Sequence, residues 1–174
     1  MSGHHLKKLM LLRHAKAAWP RDVSDHERPL SSRGHRDAPL AGRWMVENDS
    51  IPDFILCSSA LRTRQTCTWI CEELGDKGPT PKLEDSLYSA SAAQILSVIN
   101  NVPETVTSLL VITHLPGVQD LAMRLASVES NEDAVMEMAT DYPTSGLTVM
   151  ESAKPWAELD GRDARISDFI VRRA

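Results

Sequence analysis

Short apolar runs recur along the chain, each followed by a stretch whose apolar residues have helical spacing. Leu6 to Leu12 is the first run and reads as a buried strand that stops at Arg13 and His14. The polar stretch from Trp19 to Ser32, broken by Pro20 and Pro29, reads as a loop. Ser31 is placed to cap a helix from about Gly34 to Asn48 with Leu40, Trp44 and Met45 inward, and Pro39 is expected to shorten or kink it. Phe54 to Cys57 predicts a second strand, after which Ser58 or Ser59 would cap a helix through Leu74 that ends near Gly75. Asp76 to Tyr88, with Gly78, Pro79 and Pro81, reads as a crossover loop, and Ser91 to Asn100 as a short helix with Ile95, Val98 and Ile99 on its apolar face. Leu109 to Thr113 is the strongest strand signal, and Pro116 suits the first turn of a helix through Ser127. Glu129 to Asp141 is acidic and predicts a solvated helix or flap. Leu147 to Met150 and Ile166 to Val171 predict two further strands, joined by a loop with Trp156 and an Asp160-Gly161 turn.

Strand and helix alternate without an internal repeat, low-complexity tract or long linker, which predicts an α/β fold with a mostly parallel sheet. At 174 residues, 42% hydrophobic and 25% charged, the chain has the make-up of one globular domain over 1–174. His4 and His5 follow Met-Ser-Gly, so residues 1–5 are set aside as disordered or left from cloning, without a chemical role. A net charge of −5 and a pI near 5.7 argue against nucleic acid or an anionic membrane as partner. A phosphate site must then be a local positive pocket. No apolar stretch approaches the ~20 residues of a bilayer span and no cleavable leader pattern precedes the first strand, which predicts a cytoplasmic protein. Cys57, Cys67 and Cys71 are odd in number, as suits a reducing compartment; Cys67 and Cys71 share a helical face, but no second ligand pair accompanies them, so neither metal nor cofactor is expected.

The candidate chemistry lies where predicted strands end. A buried strand that runs into Arg13 and His14 puts both at the carboxyl edge of a sheet, where open α/β folds bind ligands. Arginine offers a planar fork of donors to phosphate oxygens, and a neutral imidazole can attack phosphorus near neutral pH. After the second strand, Arg62 falls in the first helical turn among backbone donors, which suits an anion; Arg64 reads as an ordinary exposed residue. After Thr113 comes His114, placed much as His14 is.

Taken together, Leu11-Leu12-Arg13-His14-Ala15-Lys16, Arg28-Pro29-Leu30-Ser31-Ser32-Arg33-Gly34, Arg62-Thr63-Arg64-Gln65-Thr66 and Val111-Ile112-Thr113-His114 resemble, in that order, the histidine phosphatase (phosphoglycerate mutase-like) superfamily. The short length and the Arg-His-Ala-Lys start look most like its SixA-type phosphohistidine phosphatase branch. The resemblance covers roughly residues 6 to 127 and implies a three-layer α/β/α sandwich. It implies a metal-independent phosphatase in which His14 becomes transiently phosphorylated while Arg13, Arg62 and His114 bind and neutralise the phosphoryl oxygens. Lys16 and Arg28 are secondary candidates for the pocket rim, and Ser59 for a donor to phosphate. The implied partner is a phosphorylated protein, such as a histidine phosphotransfer domain of a signalling relay, with phosphate or sulfate as the simplest occupant of the site.

One departure bears on substrate. Phosphomonoesterases of this superfamily usually carry a glutamate in the mid-chain loop that protonates the leaving alkoxide; here the matching stretch is Glu84-Asp85-Ser86-Leu87-Tyr88-Ser89, and Ser89 stands at the acid's position. An alkoxide leaves poorly without a proton, whereas imidazole, with a pKa of about 6.5, leaves far better. The departure favours phosphohistidine, with Glu84 or Asp85 as substitute acids if the loop bends inward. Two other readings stay open: a small-molecule phosphomonoesterase of the same fold, and a noncatalytic phosphate-binding module.

Overall fold

The computed structural model describes residues 6–174, so the reading of residues 1–5, with His4 and His5, lies outside it. Six strands form one sheet: β1 (Lys7–Arg13), β2 (Phe54–Ser58), β3 (Lys82–Glu84), β4 (Ser108–Thr113), β5 (Leu147–Ser152) and β6 (Arg165–Ile170). Their order is β3-β2-β4-β1-β5-β6, with β5 alone running against the rest. Two helices, α1 (Ser32–Glu47) and α2 (Leu61–Leu74), cover one face; α3 (Ala92–Asn100), α4 (Gly117–Leu125) and α5 (Glu132–Thr140) cover the other. This is the expected three-layer sandwich.

The period-two alternation of the central strands divides the core. Leu9 and Leu11 of β1 and Leu109 and Val111 of β4 pack with Ile95, Ile99, Val118 and Leu121. Met10 and Leu12, with Leu110 and Ile112, point to the opposite face, against Met45, Cys67 and Ile70. Because both faces are covered, these strands read as continuous apolar runs, which is why they were legible.

Several local expectations change. The first helix runs through Pro39 to Glu47; Pro39 is buried, and packing of α1 on α2 outweighs the backbone hydrogen bond the ring removes. Ser31 does cap this helix, its side chain accepting from the Gly34 N–H. Neither Ser58 nor Ser59 caps α2: its N-cap is Ala60, without a side-chain cap, because the Ser58 side chain is turned to a histidine and Ser59 to another. The expected crossover loop contains β3, an edge strand of three residues too short to show a period. The acidic segment is not merely solvated, since α5 buries Ala134 and Met138 and is capped by Asn131.

Two features place the site. Arg13 of β1 lies opposite Thr113 of β4 in a parallel register, so the strands end together and release His14 and His114 side by side. From β1 the chain departs toward β2, and from β4 toward β5, on the other side. Connections leaving in opposite directions open a crevice at the carboxyl ends of the strands.

Candidate active site

His14 and His114 stand at the mouth of this crevice with ring centroids 5.4 Å apart, both buried. The Nδ1–H of His14 donates to the Ala15 carbonyl at 2.7 Å, which leaves the Nε2 lone pair facing the crevice. That carbonyl is held in place from two sides. The Ala15 N–H donates to Thr66 Oγ1 at 3.1 Å, and the next carbonyl, of Lys16, accepts from the Ser31 N–H and hydroxyl. Here the Arg28 to Gly34 motif shows its structural purpose. It runs antiparallel to Lys16–Ala18, with the Ala18 N–H donating to the Pro29 carbonyl, and Gln65 of α2 accepts from the Leu30 N–H at 2.7 Å. Gly34 is required because a β-carbon there would stand 2.1 Å from the Lys16 carbonyl oxygen.

Arg62 points from the first turn of α2 across the crevice, buried, its Nε donating to His14 Nε2 at 3.3 Å. Its terminal nitrogens donate to the Asp25 carbonyl at 2.7 Å and the Asp25 carboxylate at 3.1 Å. Arg13 donates to the Tyr142 carbonyl at 2.8 Å, while its Nε has no protein partner among the described residues. Arg28 reaches the site: its guanidinium lies over the Trp19 ring, 3.3 Å from the centroid, and donates to Ala18 O and to Asp25 Oδ1, both at 3.1 Å. Arg13, His14, Lys16, Arg28, Arg62 and His114 together line one pocket of about 280 Å³, with Trp19, Leu115 and Thr144 at its edge. Of the seven candidates only Ser59 lies outside that lining; its hydroxyl meets His26 Nε2 at 3.0 Å. A larger groove of about 760 Å³ between α5 and the end of β6 gathers apolar side chains such as Met136 and Phe169 and no cationic group.

The electrostatics favour neutral imidazoles. Burial, reinforced by His114, Arg62 and Arg13, lowers His14 to about 3 from 6.5, and burial followed by Arg62 lowers His114 to about 4. Asp25 moves the opposite way in function: the Tyr88 hydroxyl first, then Arg28 and Arg62, hold its carboxyl well below the usual carboxylate range. Asp25, His26 and Tyr88 were not singled out in the sequence. Tyr88 bonds Asp25 and stands edge-on to both His26 and His114, with centroids 4.8 and 5.6 Å apart. A signal existed, since a pocket with several cations needs a counter-ion and Asp25 precedes Arg28 by one helical turn. Glu84 and Asp85 do not supply a substitute acid: Glu84 accepts from Ser86 and lines a different cavity, and Asp85 is exposed.

The depressed histidines link stability to pH. Between about pH 4 and 6.5 the unfolded chain binds protons that the folded protein refuses, so stability is highest above 6.5 and falls as pH drops. Each such histidine contributes a slope of about 1.4 kcal/mol per pH unit. Urea midpoints at pH 7 and pH 5 are expected to show this loss, and His14→Ala to make the slope shallower; equal midpoints would contradict the burial of both rings in the neutral form.

The profile of the histidine phosphatase superfamily (branch 1) matches residues 9–89. An uncharacterized protein of Mycobacterium tuberculosis is 39% identical over 163 residues, covering 93% of this chain and all of that one. Among solved structures, a protein of Nakamurella multipartitia that bears the name SixA phosphohistidine phosphatase superposes with a TM-score of 0.83 at 27% identity, over 95% of each chain. A protein histidine phosphatase SixA complexed with tungstate has the same fold, with a TM-score of 0.74 at 21% identity over 94% of this chain and 96% of that one.

Proposed function

Since the chain belongs to the SixA-type branch of the histidine phosphatase superfamily and is a phosphatase by that membership, we propose that it removes the phosphoryl group from phosphohistidine on a protein. The Nε2 lone pair of His14 attacks phosphorus, and the bond between phosphorus and the substrate imidazole breaks. When that ring carries a proton on its far nitrogen, it departs as neutral imidazole, so no acid has to act at the breaking bond. Water then attacks phosphorylated His14, releasing phosphate and restoring the imidazole. Arg13, Arg62 and Arg28 form a fixed positive clamp for the charge spread over the equatorial oxygens, which is the larger part of what phosphoryl transfer asks of a protein. No step calls for a metal ion.

The observation that carries the substrate assignment is the state of Asp25. It is the carboxylate bonded to Arg62 and Arg28, and with three donors upon it, it stays ionised and has no proton to give an alkoxide. Ser89, at the usual acid's position, is exposed, and a serine hydroxyl is too weak an acid to serve as the proton donor at neutral pH. The open mouth supports a protein rather than a small metabolite. Trp19, at the pocket edge, is 80% exposed and would meet whatever surrounds a phosphoryl group seated on the clamp.

Phosphate release from a phosphohistidine-bearing phosphotransfer protein and from an alkyl phosphomonoester such as O-phosphoserine, whose alkoxide needs a proton to leave, tests this reading. The expected preference in kcat/KM is at least about a hundred-fold for phosphohistidine, the low end of what one proton transfer contributes. Equal or better turnover of the monoester would overturn the substrate assignment.

A further inference from the structure

The two histidines make opposite use of their ring nitrogens. His14 spends its Nδ1–H on a backbone carbonyl and keeps Nε2 as a lone pair. His114 is bonded at the other nitrogen: its Nε2 lies 2.7 Å from the Ser58 hydroxyl, and its Nδ1 has no protein partner among the described residues although the ring is 7% exposed.

Which atom carries the proton follows from counting what Ser58 can bond. Its side chain is fully buried, and its oxygen accepts weakly from the Ala60 N–H at 3.4 Å. Among the described residues the hydroxyl hydrogen has one acceptor within reach, His114 Nε2. Were Nε2 protonated, it would donate to Ser58 and leave that hydroxyl hydrogen stranded in a dry site away from the pocket, whereas a proton on Nδ1 is left for an occupant of the pocket to accept. Ser58 therefore donates, Nε2 accepts, and the imidazole proton sits on Nδ1. His114 lines the phosphate pocket, and its Nδ1 is a buried nitrogen without a protein partner among the described residues, the one that an occupant of the pocket would satisfy.

We infer that Ser58 is a positioning residue that fixes His114 as its Nδ1–H tautomer, so that a neutral histidine donates a hydrogen bond to the transferring phosphoryl group. This rests on the proposed function only for its catalytic consequence; the tautomer belongs to the free protein. In the opposite tautomer His114 would turn a lone pair toward an anionic oxygen. A neutral donor also has a use that a fourth fixed positive charge lacks: it stabilises charge as it develops without tightening the hold on released phosphate. The arrangement gives two adjacent imidazoles separate tasks, His14 supplying electrons and His114 a hydrogen.

Long-range proton–nitrogen NMR on ring-labelled protein reads the tautomer directly, without substrate. Wild type is expected to show protonated Nδ1 and bare Nε2 at His114, and the reverse at no pH between 6 and 8. Ser58→Ala is expected to shift His114 toward a mixture of tautomers and to lower kcat on phosphoramidate about ten-fold, with a smaller change in KM. Ser58→Thr, which keeps the hydroxyl, is expected to restore the Nδ1–H signal and most of kcat. An Nε2–H signal in wild type overturns the inference, as does a Ser58→Ala protein with unchanged tautomer and unchanged kcat. If wild type shows the Nδ1–H signal but prefers a phosphomonoester, the substrate assignment fails while the tautomer assignment stands.

Discussion

Phosphate release from a phosphohistidine-bearing protein is expected to fall at least about a thousand-fold in His14→Ala, while tungstate or phosphate still binds. The direction follows from the division of labour in the pocket. Arg13, Arg28 and Arg62 reach it from β1, the loop after it and α2, and apart from the one bond from Arg62 Nε to His14 Nε2 their hydrogen bonds go to Tyr142, Ala18 and Asp25. Losing the imidazole removes the attacking lone pair and leaves the cations in place. The fold should survive as well, since what is lost is a buried ring whose charged form the protein already rejects. Rapid quench of labelled substrate into alkaline detergent, which preserves the acid-labile phosphorus–nitrogen bond, gives the complementary measurement: wild type should carry label on the chain and the variant none. Turnover within ten-fold of wild type would remove His14 from the role of nucleophile.

Arg62→Lys keeps the charge and is still expected to lower kcat/KM by about a hundred-fold or more. Three nitrogens of Arg62 are directed at three different acceptors, His14 Nε2, the Asp25 carbonyl and the Asp25 carboxylate. A lysine ammonium is a single point on a flexible stem and cannot hold those directions together while also meeting a phosphoryl oxygen. Steady-state kinetics on phosphoramidate, which has no protein surface to recognise, isolates the clamp from docking. A loss of less than about three-fold would mean that charge alone is enough and that the fork geometry is incidental.

His14 and His114 were legible in the sequence because each sits where a change of hydrophobic pattern marks the end of a strand. Leu9 to Leu12 and Leu109 to Ile112 are apolar on both faces, and such runs betray a covered parallel strand whose next residues must emerge at its carboxyl edge. Arg28 came into view through its motif, although what that motif chiefly does is brace Lys16–Ala18. Asp25 and Tyr88 were not legible. Their importance lies in contacts between segments far apart in the chain, a 3-10 turn over Asp25–Glu27 and another over Asp85–Leu87, and no period marks either. Ser58 was visible but assigned to a helix cap, because local propensity ranks serine there and cannot see the histidine that arrives 56 positions later. The edge strand β3 escaped for the related reason that three residues, two of them exposed, leave no pattern to read.

The order in which the sheet is laid down has a consequence for how the protein is made. β1 and β2 leave the ribosome early, yet they never touch; β4, synthesised some fifty residues after β2, slides in between them. Until it does, the nascent chain holds two apolar strands whose facing edges are both open, the state in which partly made sheets pair with the wrong neighbour. Insertion of β4 closes both edges and in the same act delivers His114 beside His14. Hydrolytic competence thus cannot precede β4, and the onset of activity during synthesis would come only after the central strand is home.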